Sequence, residues 1–272
     1  MAKAFLKVIG VVFLSGALLL GALYVLQDRV LFPARSLTPG ELAALLARYP
    51  GVQRVVVEAP DGIELHGWYL PAEGPGRQPL VIYYGGNGSL AVDLLPFAHN
   101  FAGRSLLVMD YRGYGVNKGK PREDLLYSDA LLVFDHFAGR DDVDGERIFL
   151  VGFSLGTAVA TRVAAHRPVG AVVLAAPFTS VTDIITERLP TLPARRLIRN
   201  PMNAAASAPH ARAPLLALLA DEDQVVPNRH SRALVQLWGS DSRIQIIKDR
   251  GHNDMHLDPV FWDSVNRFLD GI

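Results

Sequence analysis

The sequence predicts an α/β fold, and three observations carry that prediction. Short apolar runs of strand length recur along the chain between segments of helical spacing. The first two runs flank Pro60-Asp61-Gly62, a hairpin signal, whereas the later ones alternate with helices, so an antiparallel start leads into a parallel series. Near the middle of the chain, Ile148–Val151 passes through Gly152-Phe153-Ser154-Leu155-Gly156 into an alanine-rich helical segment. A strand, a tight turn and a helix therefore meet at a serine.

Length and composition set the frame. A chain of 272 residues fits one α/β domain plus an appendage. The formal net charge is zero, which gives no electrostatic case for a nucleic-acid partner. Cysteine is absent, which excludes disulfides, thiolate metal sites, a cysteine nucleophile and a lipid-modified N-terminal cysteine.

From Val8 to Leu26 no residue is charged. At about 1.5 Å per residue, roughly 20 apolar residues cross the ~30 Å hydrocarbon core. A cleaved signal peptide is the rival reading, but the run ends in bulky Leu23-Tyr24-Val25-Leu26-Gln27 rather than small residues. Residues 1–27 are therefore expected to be an uncleaved single-pass anchor. Lys3 and Lys7 precede the run, and Asp28, Arg29 and Arg35 follow it. The positive-inside rule then puts the N-terminus in the cytoplasm and the main domain outside, in the periplasm of a bacterium.

Residues 28–52 read as a stem. Thr38-Pro39-Gly40-Glu41 is a capping box with proline at the first helical position, Leu37 and Leu42 are spaced as a staple, and Pro50-Gly51 ends the helix. The expected main domain is 53–272. Its strand candidates are Val52–Ala59, Ile63–Leu70, Pro79–Tyr84, Ser105–Met109, Ile148–Val151, Val169–Ala175, Pro214–Leu219 and Arg243–Ile247, a mostly parallel eight-stranded sheet. Helices are expected over Ser89–Phe101, Leu125–Phe137, Leu155–His166, Asn228–Trp238 and Pro259–Leu269. No internal repeat or low-complexity tract interrupts them. Residues 177–213 form the one insertion large enough to act as a short lid, with a helix over Thr182–Leu189.

The strand–turn–helix context makes G-x-S-x-G a nucleophile elbow. The turn strains the serine backbone, and side chains at 152 or 156 would collide with the neighbouring strand and helix. Ser154 Oγ then stands clear, and the Leu155 N–H at the helix start points to where an oxyanion would form. A serine hydroxyl needs a base, and the base needs an orienting carboxylate. Ala220-Asp221-Glu222-Asp223 follows one strand, and Gly251-His252-Asn253-Asp254 follows the next. Both lie on the sheet edge that carries Ser154. His252 is the expected base. Asp223 is the expected carboxylate, because D-x-x-V-P sets it in the turn before a helix; Asp221 and Glu222 are its rivals. In Tyr84-Gly85-Gly86-Asn87-Gly88 a strand opens into glycines, and the Asn87 N–H is the second expected oxyanion donor. Gly86, Phe153 and Phe178 are expected to touch substrate.

Across these stretches the chain resembles the α/β-hydrolases, and within them the membrane-anchored lysophospholipase and protein-depalmitoylase subgroup with its bacterial relatives. The resemblance rests on Leu26–Pro33, Gly86-Asn87, Asp110-Tyr111-Arg112-Gly113-Tyr114-Gly115, Gly152–Gly156, Ala176–Ser180, Asp223–Pro227 and Gly251–Asp254, which cover nearly the whole chain in order. One departure stands out. The family commonly has His-Gly-Asn at the oxyanion turn, and here the first residue is Gly85. The resemblance implies hydrolysis of a small-molecule or lipid ester or thioester through an acyl-enzyme, with no metal or organic cofactor. A peptidase of the same fold and a catalytically idle, membrane-tethered binding module are the alternatives.

Two further stretches are weighed separately. Gly113-x-Gly115 is not a dinucleotide fingerprint, because Lys118 stands where the third glycine belongs. Asp110 and Arg112 are instead expected to shape the floor of the site. In the insertion, Arg188, Arg195, Arg196 and Arg199 cluster around Leu192, Leu197 and Ile198. They are either a solvated loop or a basic, apolar rim for anionic lipid headgroups. His252 and His256 are four apart, but Gly251 and the loop context argue against a metal pair there, and no H-E-x-x-H pattern occurs.

Overall fold

The computed structural model describes residues 14–16, 20–22, 24–101 and 103–272. Residues 8–13, 17–19 and 23 of the expected anchor, with Lys3 and Lys7, lie outside them. One sheet contains β1 (Gln53–Glu58), β2 (Glu64–Leu70), β3 (Gln78–Tyr84), β4 (Ser105–Met109), β5 (Val143–Phe153), β6 (Ala171–Ala175), β7 (Leu215–Ala220) and β8 (Ser242–Ile247). Its order is β1-β2-β4-β3-β5-β6-β7-β8. β2 runs antiparallel to both its neighbours, and β4, β3, β5, β6, β7 and β8 are mutually parallel. Every residue of β6 and β7 is buried, as a parallel sheet covered on both faces requires. This is why those strands read as unbroken apolar runs rather than as alternation.

Helices α3 (Glu123–Ala138), α4 (Leu155–Ala164), α7 (Asn228–Gln236) and α8 (Pro259–Asp270) flank the sheet. α3 and α4 pack on each other and on β5, while α8 packs on β7 and β8. α4 presents small residues, Gly156, Ala158 and Ala160, so it can lie close to the strands.

Three elements differ from the sequence expectation. Residues 89–101 are not an α-helix but a 3₁₀ run, Ala91–Phe101. Pro96 removes a donor in its middle, and the Asp93 carboxylate takes the Leu90 N–H at 2.9 Å, which favours the tighter turn. β5 starts five residues before Ile148, because Val143 pairs with Gln78 before a register shift; the added residues are mostly exposed and carry no apolar signal. The apolar N-terminal helix α1, Leu14–Leu31, continues past residue 27 into the expected stem. Residues 24–31 are helical, and the helix ends before Phe32 and Pro33, since a residue before proline avoids helical angles. Among the described residues α1 is the one helix long and apolar enough to cross a membrane.

The stem is fastened to the domain. In helix α2 (Pro39–Arg48) the Glu41 N–H donates to Thr38 Oγ1 at 3.3 Å, and Glu41 Oε2 accepts the Thr38 N–H at 2.8 Å, the capping box. Phe32 is buried in the core. The Leu37 N–H donates to Gly115 O at 3.0 Å, and the Gly115 N–H donates to Arg35 O at 2.8 Å. Residues 177–213 carry helices α5 (Val181–Arg188) and α6 (Ala194–Leu197), with α5 capped by Ser180 Oγ, which accepts the Asp183 N–H at 3.0 Å.

Candidate active site

Ser154 sits between β5 and α4 with φ 50° and ψ −117°, a conformation that side chains avoid unless the surroundings impose it. They do so here. A Cβ at Gly156 would overlap the Tyr84 carbonyl oxygen of β3, and one at Gly152 would press on the backbone of Gly156. The glycines thus let α4 start directly over the sheet. The Ser154 N–H is tied to Ala175 O at 2.9 Å, and Ser154 O accepts from the Thr157 N–H and hydroxyl at 2.9 and 2.6 Å. The backbone is pinned and the hydroxyl is left for other partners.

That partner is His252. Its Nε2 lies 2.9 Å from Ser154 Oγ, and its Nδ1 lies 2.8 Å from Asp223 Oδ2. The Asp223 side chain is 1 % exposed and that of His252 7 % exposed. The other Asp223 oxygen accepts the Val225 and Val226 N–H groups at 2.8 and 2.7 Å, so the carboxylate cannot rotate away from the ring. Neither rival acid bonds to the ring. Asp221 accepts the Arg250 N–H at 3.4 Å, and Glu222 bonds through its backbone to Arg250 O at 3.0 Å. The His252 loop is closed by Asp254, whose carboxylate accepts the Gly251 N–H at 2.7 Å.

Leu155 opens α4, so its N–H has no intrahelical acceptor and points out of the positive end of the helix dipole. Asn87 lies across the site on the turn after β3. At the departure from the family pattern, Gly85 O accepts from the hydroxyl of the partly buried Tyr111 at 2.9 Å. Burial holds that phenol well above its ordinary pKa and hence protonated. A Cβ at Gly85 would stand 3.1 Å from Ser89 Cβ, so Ser89 occupies the space into which a larger residue would grow. Support for the turn comes here from Tyr111.

Ser154 opens into an apolar groove of about 430 Å³. Asn87, Leu155 and Phe178 line it with Val181, Ile184, Ile185 and Leu189 of the lid and Val226 beside Asp223. Gln27, Val30 and Leu31 of α1 complete it. No local pattern in the sequence pointed to those three. Two expected substrate contacts are not in the groove. Gly86 is packed against the Phe153 ring and Ser154 Cβ, at 3.1 and 3.5 Å from the position a Cβ would take. Phe153 backs the His252 ring, centroids 5.3 Å apart, and faces a separate cavity of about 130 Å³ beside Phe97 and Trp262. Phe153 is the last residue of β5, and the sharp turn at Ser154 sends the serine into the groove while the Phe153 ring stays on the other side.

Asp110 and Arg112 do not form the floor. Asp110 accepts the Ala91 N–H at 2.7 Å, and burial pushes its carboxyl up to about 6. Arg112 is buried, with Nε 2.5 Å and Nη2 2.6 Å from the two oxygens of Asp129, and Nη1 2.6 Å from Asp61. Both hold the fold beneath the site. The arginines of the insertion are divided as well. Arg188 donates to the Gln224 and Val225 carbonyls at 2.7 Å, and Arg199 pairs with Asp28 at 2.8 Å. Arg195 and Arg196 are exposed.

Comparisons with known proteins agree with this architecture. The family model described as the alpha/beta hydrolase fold matches residues 78–197, and one described as serine hydrolase matches residues 140–270. An uncharacterized protein of Mycobacterium tuberculosis, Rv2307c, is 35% identical over 97% of this chain and 94% of its own length. The uncharacterized membrane protein YNL320W of Saccharomyces cerevisiae is 25% identical over 80% of this chain and 79% of its own. The crystal structure of an alpha-beta hydrolase from Vibrio vulnificus superposes with a TM-score of 0.73 at 19% identity, covering 90% of this chain and 92% of that one. From the hairpin entry to the histidine loop, then, sheet order, matched models and an end-to-end relative agree: the chain belongs to the α/β-hydrolase family, as one of its serine hydrolases.

Proposed function

We propose that this protein is a membrane-anchored serine esterase or thioesterase that cleaves acyl substrates through an acyl-enzyme on Ser154. The observation that carries the reading is the continuous relay from Ser154 Oγ through His252 to Asp223, at 2.9 and 2.8 Å, opening into an apolar groove. Ser154 Oγ attacks the acyl carbonyl carbon while His252 Nε2 takes its proton. Asp223 holds the ring and stabilises the imidazolium. The carbonyl oxygen gains charge and is received by the Leu155 and Asn87 N–H groups; one such donor contributes roughly 3–4 kcal/mol. Collapse of the tetrahedral intermediate breaks the bond to the alcohol or thiol, which takes the proton from His252. Water then repeats the sequence on the acyl-enzyme, releasing a carboxylic acid and regenerating the serine.

In this reading residues 1–27 are a single membrane anchor, 28–52 a stem that begins with the last turn of α1, and 53–272 the catalytic domain with 177–213 as its lid. The apolar α1 and the relative named as a membrane protein support the anchor. The lysines ahead of the apolar run favour a catalytic domain outside the cytoplasm. Exposed Arg195 and Arg196 are the part of the arginine cluster left to meet anionic headgroups.

The test compares matched acyl esters, thioesters and amides on the full-length protein in detergent. Ester and thioester hydrolysis that is lost in Ser154→Ala supports the reading. Amide hydrolysis at a similar rate would make the protein a peptidase of the same fold, and no turnover of any of them would favour a binding module.

A further inference from the structure

The end of the membrane helix does more than tether the domain. Gln27, Val30 and Leu31 are one wall of the groove that holds Ser154, facing α5 across it. Two polar clasps hold that wall to the lid. Gln27 Nε2 donates to Leu197 O at 3.1 Å, and Gln27 Oε1 accepts the Arg199 N–H at 2.8 Å. The two Asp28 oxygens accept from Asn200 Nδ2 and Arg199 Nη2, each at 2.8 Å. A helix that only carried a domain on a flexible tether would need none of these contacts.

The rim of the groove is apolar and uncovered. Val30 is 70 % exposed, Leu189 54 % and Val225 45 %. Large apolar side chains forgo about 1.5–3 kcal/mol each when left in water, so a cluster of them marks a surface made for hydrocarbon. The same helix face continues the patch toward the membrane through exposed Leu26, one turn before Val30. Tyr24 lies one turn before Gln27 with the Arg199 guanidinium 5.2 Å from its ring, an aromatic and a basic side chain of the kind found at the headgroup level. Val30 lies six positions after Tyr24, about 9 Å along a helix. The mouth of the groove is therefore within interfacial depth of the bilayer.

We propose that this mouth opens onto the lipid interface. A long-chain acyl ester dissolved in the bilayer slides laterally along α1 into the groove, with its carbonyl at Ser154 and its chain against Val30 and Leu31. Those two anchor residues then set the acyl-length preference, and the chain never crosses water. This rests on the esterase reading given above and adds the route and the specificity contacts to it.

The experiment uses the full-length protein in phosphatidylcholine vesicles, with 4-nitrophenyl butyrate as the soluble ester and 4-nitrophenyl palmitate as the membrane-dissolved one. Val30→Lys places a charge at an exposed position of the mouth, and Leu31→Trp fills the groove. Each is expected to lower the ratio of palmitate to butyrate kcat/KM about tenfold or more. A ratio within twofold of wild type in both variants would overturn the proposal while leaving the esterase reading intact. A second readout needs no turnover. In Ser154→Ala protein, a palmitoyl ester carrying a photoactivatable group on its chain should crosslink to residues 30 and 31 and to α5. Crosslinking that spares residues 30 and 31 would overturn the route even if neither ester is hydrolysed, whereas absent hydrolysis alone would count only against the esterase reading.

Discussion

Ser154, His252 and Asp223 stand at or just beyond the ends of β5, β8 and β7, linked at 2.8–2.9 Å, and both partners of the serine are buried. The groove beside them is walled by α1 and α5; α1 is held by part-exposed polar clasps to the end of α6 and the residues after it, and apolar side chains are left in the open. The contrast follows from what each region handles. Proton transfer demands fixed positions, and strand ends in a sheet whose central strands are buried supply them. An acyl chain demands only apolar surface of the right shape, which two helices held by a few polar contacts can provide.

The largest effects should come from breaking the fixed side. Ser154→Ala and His252→Ala should each lower ester kcat by about 10⁴–10⁶-fold, and Asp223→Asn by about 10⁴-fold, with thermal stability near wild type, measured as steady-state rates beside a melting curve. Asp221→Asn should leave kcat within a few-fold, because its carboxylate points to Arg250 and not to the ring.

The scaffold below the site comes next. Arg112→Ala leaves Asp129 buried without its cation and should destabilise the domain by about 3–5 kcal/mol, read as a lower denaturation midpoint. Asp110 gives a pH signature. Burial raises its folded pKa to about 6 from an ordinary value near 3.8. The folded state therefore holds the proton more tightly than the unfolded one. The stability this contributes is full below pH ~4 and is lost as pH rises through about 6, a change of roughly 3 kcal/mol. Asp110→Asn can still accept the Ala91 N–H and should flatten the dependence of the melting temperature over pH 4 to 7. An unchanged slope would show that Asp110 is not its source.

The smallest stability effects belong to the clasp. Gln27→Ala and Asp28→Ala remove partly exposed contacts worth up to about 1 kcal/mol each, so unfolding should barely change. A fall in long-chain relative to short-chain ester turnover would nonetheless sharpen the distinction between the two regions. A large loss of stability would erase it.

What was legible in the sequence divides along the same line. The elbow could be read because local sterics demand glycine at 152 and 156 beside the serine. The acid and the histidine followed because chain order brings the loops after β7 and β8 to the same edge, and the capping box at Thr38 is a four-residue pattern. What escaped depends on distant partners. Arg112 looked like part of the site until Asp129 and Asp61, 17 and 51 residues away, claimed it. Arg188 and Arg199 looked like free rim charges until carbonyls 36 and 37 residues away and a carboxylate 171 residues away engaged them. The groove wall in α1 was hidden for the same reason, since an apolar helix carries no mark of what packs against its end. The side taken by Phe153 was hidden likewise, since the cavity it faces is built with Phe97 and Trp262, far away along the chain.

The central claim is that Ser154 is an activated nucleophile. A fluorophosphonate probe reacts with such a serine and with no resting hydroxyl, so the direct test is to label the purified full-length protein and map the adduct by mass spectrometry. One adduct on the peptide carrying Ser154, absent in Ser154→Ala and strongly slowed in His252→Ala, is the predicted result. A folded wild-type protein that remains unlabelled, or that labels equally without His252, would contradict it.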